Sequence, residues 1–239
     1  RQRQMCIRDS GNSTGRRSTK EWKKLVAEFQ KPNLSRAIWQ LANTLLPVLG
    51  IWIGLYFLKD ISLWLCIPLA MIAGLFLIRA FIIFHDCGHG SFFKSKKAND
   101  ILGFFTGMLT FTPYHHWKWE HAMHHATNGD LDRRGIGDVW TLTVEEYLTS
   151  SRWIKLSYRF LRNPFILFLL APLFLFFVLE RIPCSKAKPR EKRSVYLMNF
   201  ALLIWSVSLS MIYGFIPWLV IQVCMMGVAG GFGTVSYTH

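Results

Sequence analysis

The chain has 239 residues, enough for one domain, and carries 28 Lys and Arg against 14 Asp and Glu, a formal net charge of +14. A balance this basic suits nucleic acid in a soluble protein, but here 51% of residues are hydrophobic and fall in long uncharged runs. That pattern makes the chain an integral membrane protein and excludes nucleic-acid binding as its default role. Its five cysteines include no C-x-x-C pair, so no disulfide framework or zinc ribbon is indicated.

The two ends read as foreign to the rest. Met5-Cys6-Ile7-Arg8-Asp9 can be encoded by a string whose reverse complement encodes Val-Ser-Tyr-Thr-His, the last five residues, 235–239. One DNA sequence attached at both ends of a fragment accounts for this, and the string resembles the transposon end used to prepare sequencing libraries. Residues 1–10 and 235–239 are therefore set aside as expected adapter sequence. The natural chain is expected to continue beyond residues 11–234. Removing Arg1, Arg3, Arg8 and Asp9 leaves 25 basic residues against 13 acidic ones, a net charge of +12.

Residues 11–36 are polar and basic, which suits a cytoplasmic flank. Within them Trp22, Leu25, Val26 and Phe29 share one face of a short amphipathic helix. Residues 37–58 and 61–84 each exceed the ~20 residues that cross a bilayer core. Only Lys59-Asp60 separates them, so they form a tight hairpin. Arg79, near the inner end of the second span, is expected to snorkel to the interface. Residues 101–112 are apolar but too few to cross, and Pro113 follows, so a re-entrant or interfacial segment is predicted. Trp117 and Trp119 suit an interfacial position. Residues 126–163 are mixed and charged, with Glu145 and Glu146 on a solvated face. Residues 164–179 are apolar with Pro172 in the middle, and read as a broken or interfacial segment. A full span there would put the basic loop 181–194 outside, against the positive-inside rule. Residues 195–213 and 219–232 complete a second hairpin around an outer turn at Gly214–Trp218. The predicted fold is an all-α integral membrane protein. It has about four transmembrane helices in two hairpins, with a cytoplasmic helical cap.

Seven of the eight histidines lie between residues 85 and 125. His85 and His89 sit at i and i+4, and His121, His124 and His125 at i, i+3 and i+4, so each set shares one helix face with Cβ atoms about 5–6 Å apart. Two such sets beside membrane-length apolar segments point to metal ligation. Imidazole suits iron, zinc, copper and nickel alike, so spacing leaves the metal open. His115 and His116 are further candidates for ligation, but one of them is expected rather to pack or hydrogen-bond beside the site. Asn128, Asp130, Asp132 and Asp138 are candidates for orienting ligand histidines.

His-Asp-Cys-Gly-His-Gly-Ser-Phe-Phe at 85–93, with the H-x2-H-H set at 121–125 and the Ala-Thr-Asn-Gly-Asp that follows it, resembles the histidine boxes of membrane-bound fatty acid desaturases, close to the bacterial Δ12/ω-6-like branch. The resemblance covers residues 20–234 and makes 11–234 a fatty acid desaturase domain, incomplete at its C-terminus. It implies an oxidoreductase with two non-haem irons, ligated here by His85, His89, His121, His124 and His125, and O2 as co-substrate. It also implies a fatty acyl substrate linked to lipid, CoA or ACP, and an electron donor such as ferredoxin or a small haem protein. The family's third histidine box, another H-x2-H-H, is missing from this chain, so the fragment alone is expected to be inactive. Two other readings stay open. One is a histidine-box hydroxylase of alkanes, sterols or carotenoids; the other is a non-enzymatic membrane metal-binding protein. No H-E-x-x-H is present to support a zinc protease.

Overall fold

Asn33 starts the first helix: its side-chain oxygen accepts the Arg36 backbone N–H, the usual N-cap bond. The computed structural model describes residues 31–127, 129–132 and 140–237, and regular structure among them is helical throughout. The amphipathic stretch around Trp22, and Asn128 and Asp138, lie outside the described residues. The first helix, α1 (Leu34–Leu58), turns at Lys59–Ser62 into α2 (Leu63–His89). Later come α8 (Pro189–Tyr213) and α9 (Phe215–Tyr237), joined at Gly214 alone. Gly214 takes φ +85°, a value glycine adopts without strain. Pro217 falls in the first turn of α9, where its missing N–H leaves no bond unmade. The outer turn is therefore shorter than the sequence indicated. These four helices are long and apolar enough to span a membrane, as expected.

The central helix is α2, packed against α1, α9 and α3 (Lys96–Leu109). It buries small residues, Ala70, Ala73, Gly74 and Ala80, toward its neighbours. Gly74 allows the closest approach: a Cβ there would lie 2.7 Å from the Met225 carbonyl oxygen of α9. Small residues at helix crossings are how spans pack where lipid offers no hydrophobic drive between helices. The opposite faces, with Trp39, Phe57 and Trp64, leave large apolar side chains exposed for lipid. At the far end Tyr213 donates to the Trp52 carbonyl at 2.7 Å, tying the two hairpins together. Arg79 does not simply snorkel. Its guanidinium donates to Asn43 Oδ1 at 2.5 Å and to Thr44 Oγ1 at 3.3 Å on α1.

Between the hairpins the chain stays at one end of the bundle. α3 has 14 residues, about 21 Å long, against a hydrocarbon core of about 30 Å. It ends in a tight turn where Thr112 N–H donates to the Gly107 carbonyl at 2.7 Å, and α4 (Tyr114–Thr127) then runs back over α2. Phe111 in that turn has φ +56°, a strained value for a bulky residue that costs about 1–3 kcal/mol unless its surroundings hold it. Arg181 does so by donating to the Phe111 carbonyl, and it also donates to Asn199 Oδ1 of α8 at 3.1 Å.

Two short helices, α5 (Val144–Thr149) and α6 (Arg152–Leu161), lead into a π-helical turn at Ile166–Leu170 and α7 (Ala171–Phe177). The chain bends by 65° between α6 and the 166–181 stretch, so the sharp break falls ahead of Pro172 and not at it. Glu146 does more than face solvent: it closes a capping box with Thr143 at the start of α5.

Residues 181–194 reach the α4 end directly. Cys184 N–H donates to His116 Nε2 at 3.0 Å, and the His115 N–H donates to Ser194 Oγ at 3.1 Å. Single cysteines placed at Ser95 and at Ser185 should therefore react with an impermeant maleimide from the same side of sealed vesicles. Labelling from opposite sides would contradict this topology.

Candidate metal centre

The length of α2 sets where its histidines emerge. About 20 residues carry a helix across the hydrocarbon core, which from Leu63 reaches the region of Ile83. His85 and His89 then occupy the last turns, and Gly90 ends the helix with φ +71°, its N–H bonding back to the Asp86 and Cys87 carbonyls. α4 lies across this end. Tyr114 is fully buried between α2 and α3 and donates to the Cys87 carbonyl at 2.7 Å. Gly103 of α3 makes room for it, since a Cβ there would fall 2.1 Å from the Tyr114 ring.

With α4 so fixed, His121 and His125 face His85 and His89. The Nε2 atoms of His85, His89 and His121 form a triangle with edges of 3.1, 3.2 and 3.3 Å. His125 Nε2 lies 3.0 Å from His121 Nε2, and the four nitrogens all fall within 4.8 Å of one another. Each neutral imidazole has one N–H to give and one lone pair to place. Hydrogen bonds among the rings therefore cannot satisfy three nitrogens crowded around His121. Metal–imidazole bonds of about 2.0–2.1 Å give neighbouring nitrogens separations of about 3.0–3.4 Å, so the observed edges fit one shared metal ion. Burial and the surrounding imidazoles push His121 down to about 3 from its ordinary 6.5, which keeps its lone pair free of a proton. An all-imidazole donor set suits iron, copper, nickel or zinc.

The supporting groups are well defined. Asp86 Oδ1 lies 3.3 Å from His85 Nδ1, so it can hold the proton there and leave Nε2 to the centre. Trp117 stacks on His121, with ring centroids 4.4 Å apart and planes 15° from parallel. It meets His85 edge-on and packs on Phe84 and Phe81. A Cβ at Gly88 would lie 2.8 Å from the Trp117 ring. Trp117 is thus a buried wall of the site rather than an interfacial anchor. The cluster opens on the other side, where His89 and His125 are exposed.

Four of the five histidines singled out from the sequence converge. His124 stands beside them, its ring 6.2 Å from that of His121 and 6.0 Å from that of His125. His116 is buried and occupied elsewhere, accepting from Cys184 N–H, with its Nδ1 3.5 Å from Glu120 Oε2. His115 packs its ring on Tyr114. Burial raises Glu120 to about 7. The Asp130 carboxylate accepts from the Asp132 N–H within its own loop. Asp86 contacts His85, and Trp117 stacks on His121. A signal for Trp117 was present, because it sits four residues before His121 on one helix face.

A helical membrane bundle that gathers imidazoles from two helices at one end defines a class of histidine-cluster membrane protein. The comparisons narrow it. A family model described as fatty acid desaturase matches residues 62–239, and the chain belongs to that family. It is similar to a fatty acid desaturase of Bacillus subtilis (strain 168), 44% identical over 90% of this chain and 61% of the relative. An sn-1 oleoyl-lipid 12-desaturase of Synechocystis sp. is 31% identical over 60% of this chain and 39% of its own length. An sn-1 acyl-lipid omega-3 desaturase (ferredoxin) from the same organism is 30% identical over 64% and 43%. The chain thus spans less than two thirds of each of these relatives. No solved structure matches.

Replacing His85, His89 or His121 by Ala should abolish stoichiometric metal binding, read by elemental analysis of purified protein. His116→Ala should leave most of the metal in place. Trp117→Ala should weaken binding by about 10–100-fold, the usual effect of removing an orienting partner, with Trp117→Phe closer to the parent. Unchanged metal content in His121→Ala would contradict the shared centre.

Proposed function

We propose that this chain carries the first two histidine clusters of an O2-dependent membrane fatty acyl desaturase, which introduces a cis double bond into an acyl chain. The observation that carries this reading is the Nε2 triangle of His85, His89 and His121 at the membrane exit of α2. In this reading His85, His89, His121, His124 and His125 hold non-haem iron, and the site stays open on the side of His89 and His125. When bound, the irons supply the O2 chemistry that removes hydrogen from an unactivated acyl chain.

The protein's own residues position and shield. Asp86 fixes the tautomer of His85, and Trp117 fixes the ring plane of His121. Phe81, Phe84 and Trp117 keep water away from the side that adjoins the bundle. The substrate is an acyl chain in a lipid, CoA or ACP ester, and the names of the cyanobacterial relatives favour lipid esters. Electrons come from ferredoxin or a small haem protein. Exposed Lys94, Lys96 and Lys97 beside the site suit an acidic donor. The cap faces the cytoplasm, in line with the basic residues of 181–194.

The test is product analysis. The complete gene should be expressed with a reductase system in a host whose lipids lack the product. A new double bond should appear in its fatty acids, and His124→Ala or His125→Ala should remove it. Hydroxylated acyl chains in place of unsaturated ones would overturn the reading.

A further inference from the structure

The α5–α6 hairpin presents an apolar surface that no described part of the protein covers. Around α6, Trp153, Ile154, Leu156, Phe160 and Leu161 fill one side of the helix, interrupted only by Ser157. Trp153 is 72% exposed, and Leu156 and Phe160 nearly 60%. Three of its four basic residues, on the other side, bond back to the 140–148 stretch. Lys155 donates to the Leu148 carbonyl at 2.8 Å, Arg159 to the Tyr147 hydroxyl at 2.7 Å, and Arg162 to the Trp140 carbonyl at 2.9 Å. On α5, Val144 and Leu148 are also exposed.

A helix on a water-facing surface turns its charges out and its apolar stripe in. Here the stripe faces outward while Lys155, Arg159 and Arg162 bond to the 140–148 stretch. With ten residues, α6 is about 15 Å long and cannot cross a bilayer. It is continuous, through a 65° bend, with the stretch at 166–181, where Phe165, Phe174 and Leu179 are exposed as well. The stripe therefore continues the lipid-facing surface of the bundle. Large apolar side chains with a tryptophan among them, backed by Lys and Arg, are what an in-plane interfacial helix requires.

We propose that α6, with the outer side of α5, is a membrane-surface anchor, lying in the bilayer plane with Trp153, Leu156 and Phe160 among the upper acyl segments. Its partner is the phospholipid interface itself. The anchor would pin residues 140–163 to the bilayer near the bend into 166–181. This inference rests on membrane residence and not on the catalytic reading.

An apolar carbene-generating probe dissolved in the bilayer tests it on the unsubstituted protein in liposomes. Adducts should form on Trp153, Leu156 and Phe160, as on the lipid faces of α1 and α9. In parallel, single cysteines replacing Trp153, Leu156, Phe160 or Arg152 would each carry an environment-sensitive fluorophore. The first three should be quenched by a lipid bearing a spin label near the headgroup and should lose iodide quenching; the label at 152 should behave oppositely. Iodide quenching of all four, with no adducts on α6, would overturn the proposal in favour of a solvent-facing hairpin. Protection from both quenchers would overturn it in favour of a covering protein segment or a second copy.

Discussion

Two helices that aim histidines at one point must present them on the same side of the membrane. The fold between Gly90 and Tyr114 is shaped by that requirement. α3 is too short to cross, its turn at Thr110–Pro113 reverses the chain, and α4 is set down over the end of α2. The strained Phe111 is held by Arg181, which α8 positions through Asn199. Asn199 in turn donates to the Arg181 carbonyl at 2.8 Å. The second hairpin thereby braces the helix that carries His121 and His125.

That brace is polar and buried. Glu180 is buried next to Arg181 and within electrostatic reach of Glu120 of α4, and His116 of α4 accepts from the Cys184 N–H. Buried charge is costly unless paired, so such a group inside a small bundle argues for a geometric role. Removing Arg181 or Asn199 takes away the bonds that hold the turn at Phe111. The clustered histidines and this brace occupy adjoining faces of one helix. α4 thus couples site geometry to hairpin packing.

Much of this was legible in the residues. Run lengths and their interruptions located the four spans, and the i, i+4 spacings picked out the four histidines that converge. Its short length kept 101–112, and the rule that basic loops share a side kept 164–179, from being read as crossings. Helix ends were less legible. α2 runs on through His89 because the polar His85-Asp86 pair does not stop a helix whose C-cap is Gly90, and α9 starts at Phe215 because Pro217 is tolerated in a first turn. The contacts that hold the site were hidden for a different reason. Tyr114 against Gly103, Trp117 against Gly88 and Arg181 against Phe111 pair residues distant in sequence, and only the packing of α3 and α4 brings them together. Asp130 and Asp132 looked like orienting groups by proximity in sequence. Asp86, inside the first cluster, has the direct contact.

The central claim is that α2 and α4 ligate the same metal. X-ray absorption at the iron edge of the iron-loaded protein tests it most directly, by counting imidazoles through their outer-shell scattering. His89→Ala on one helix and His121→Ala on the other should each reduce the imidazole count on the residual iron. Scattering that keeps its full imidazole pattern in either variant, or that is dominated by sulfur or carboxylate ligands, would contradict it.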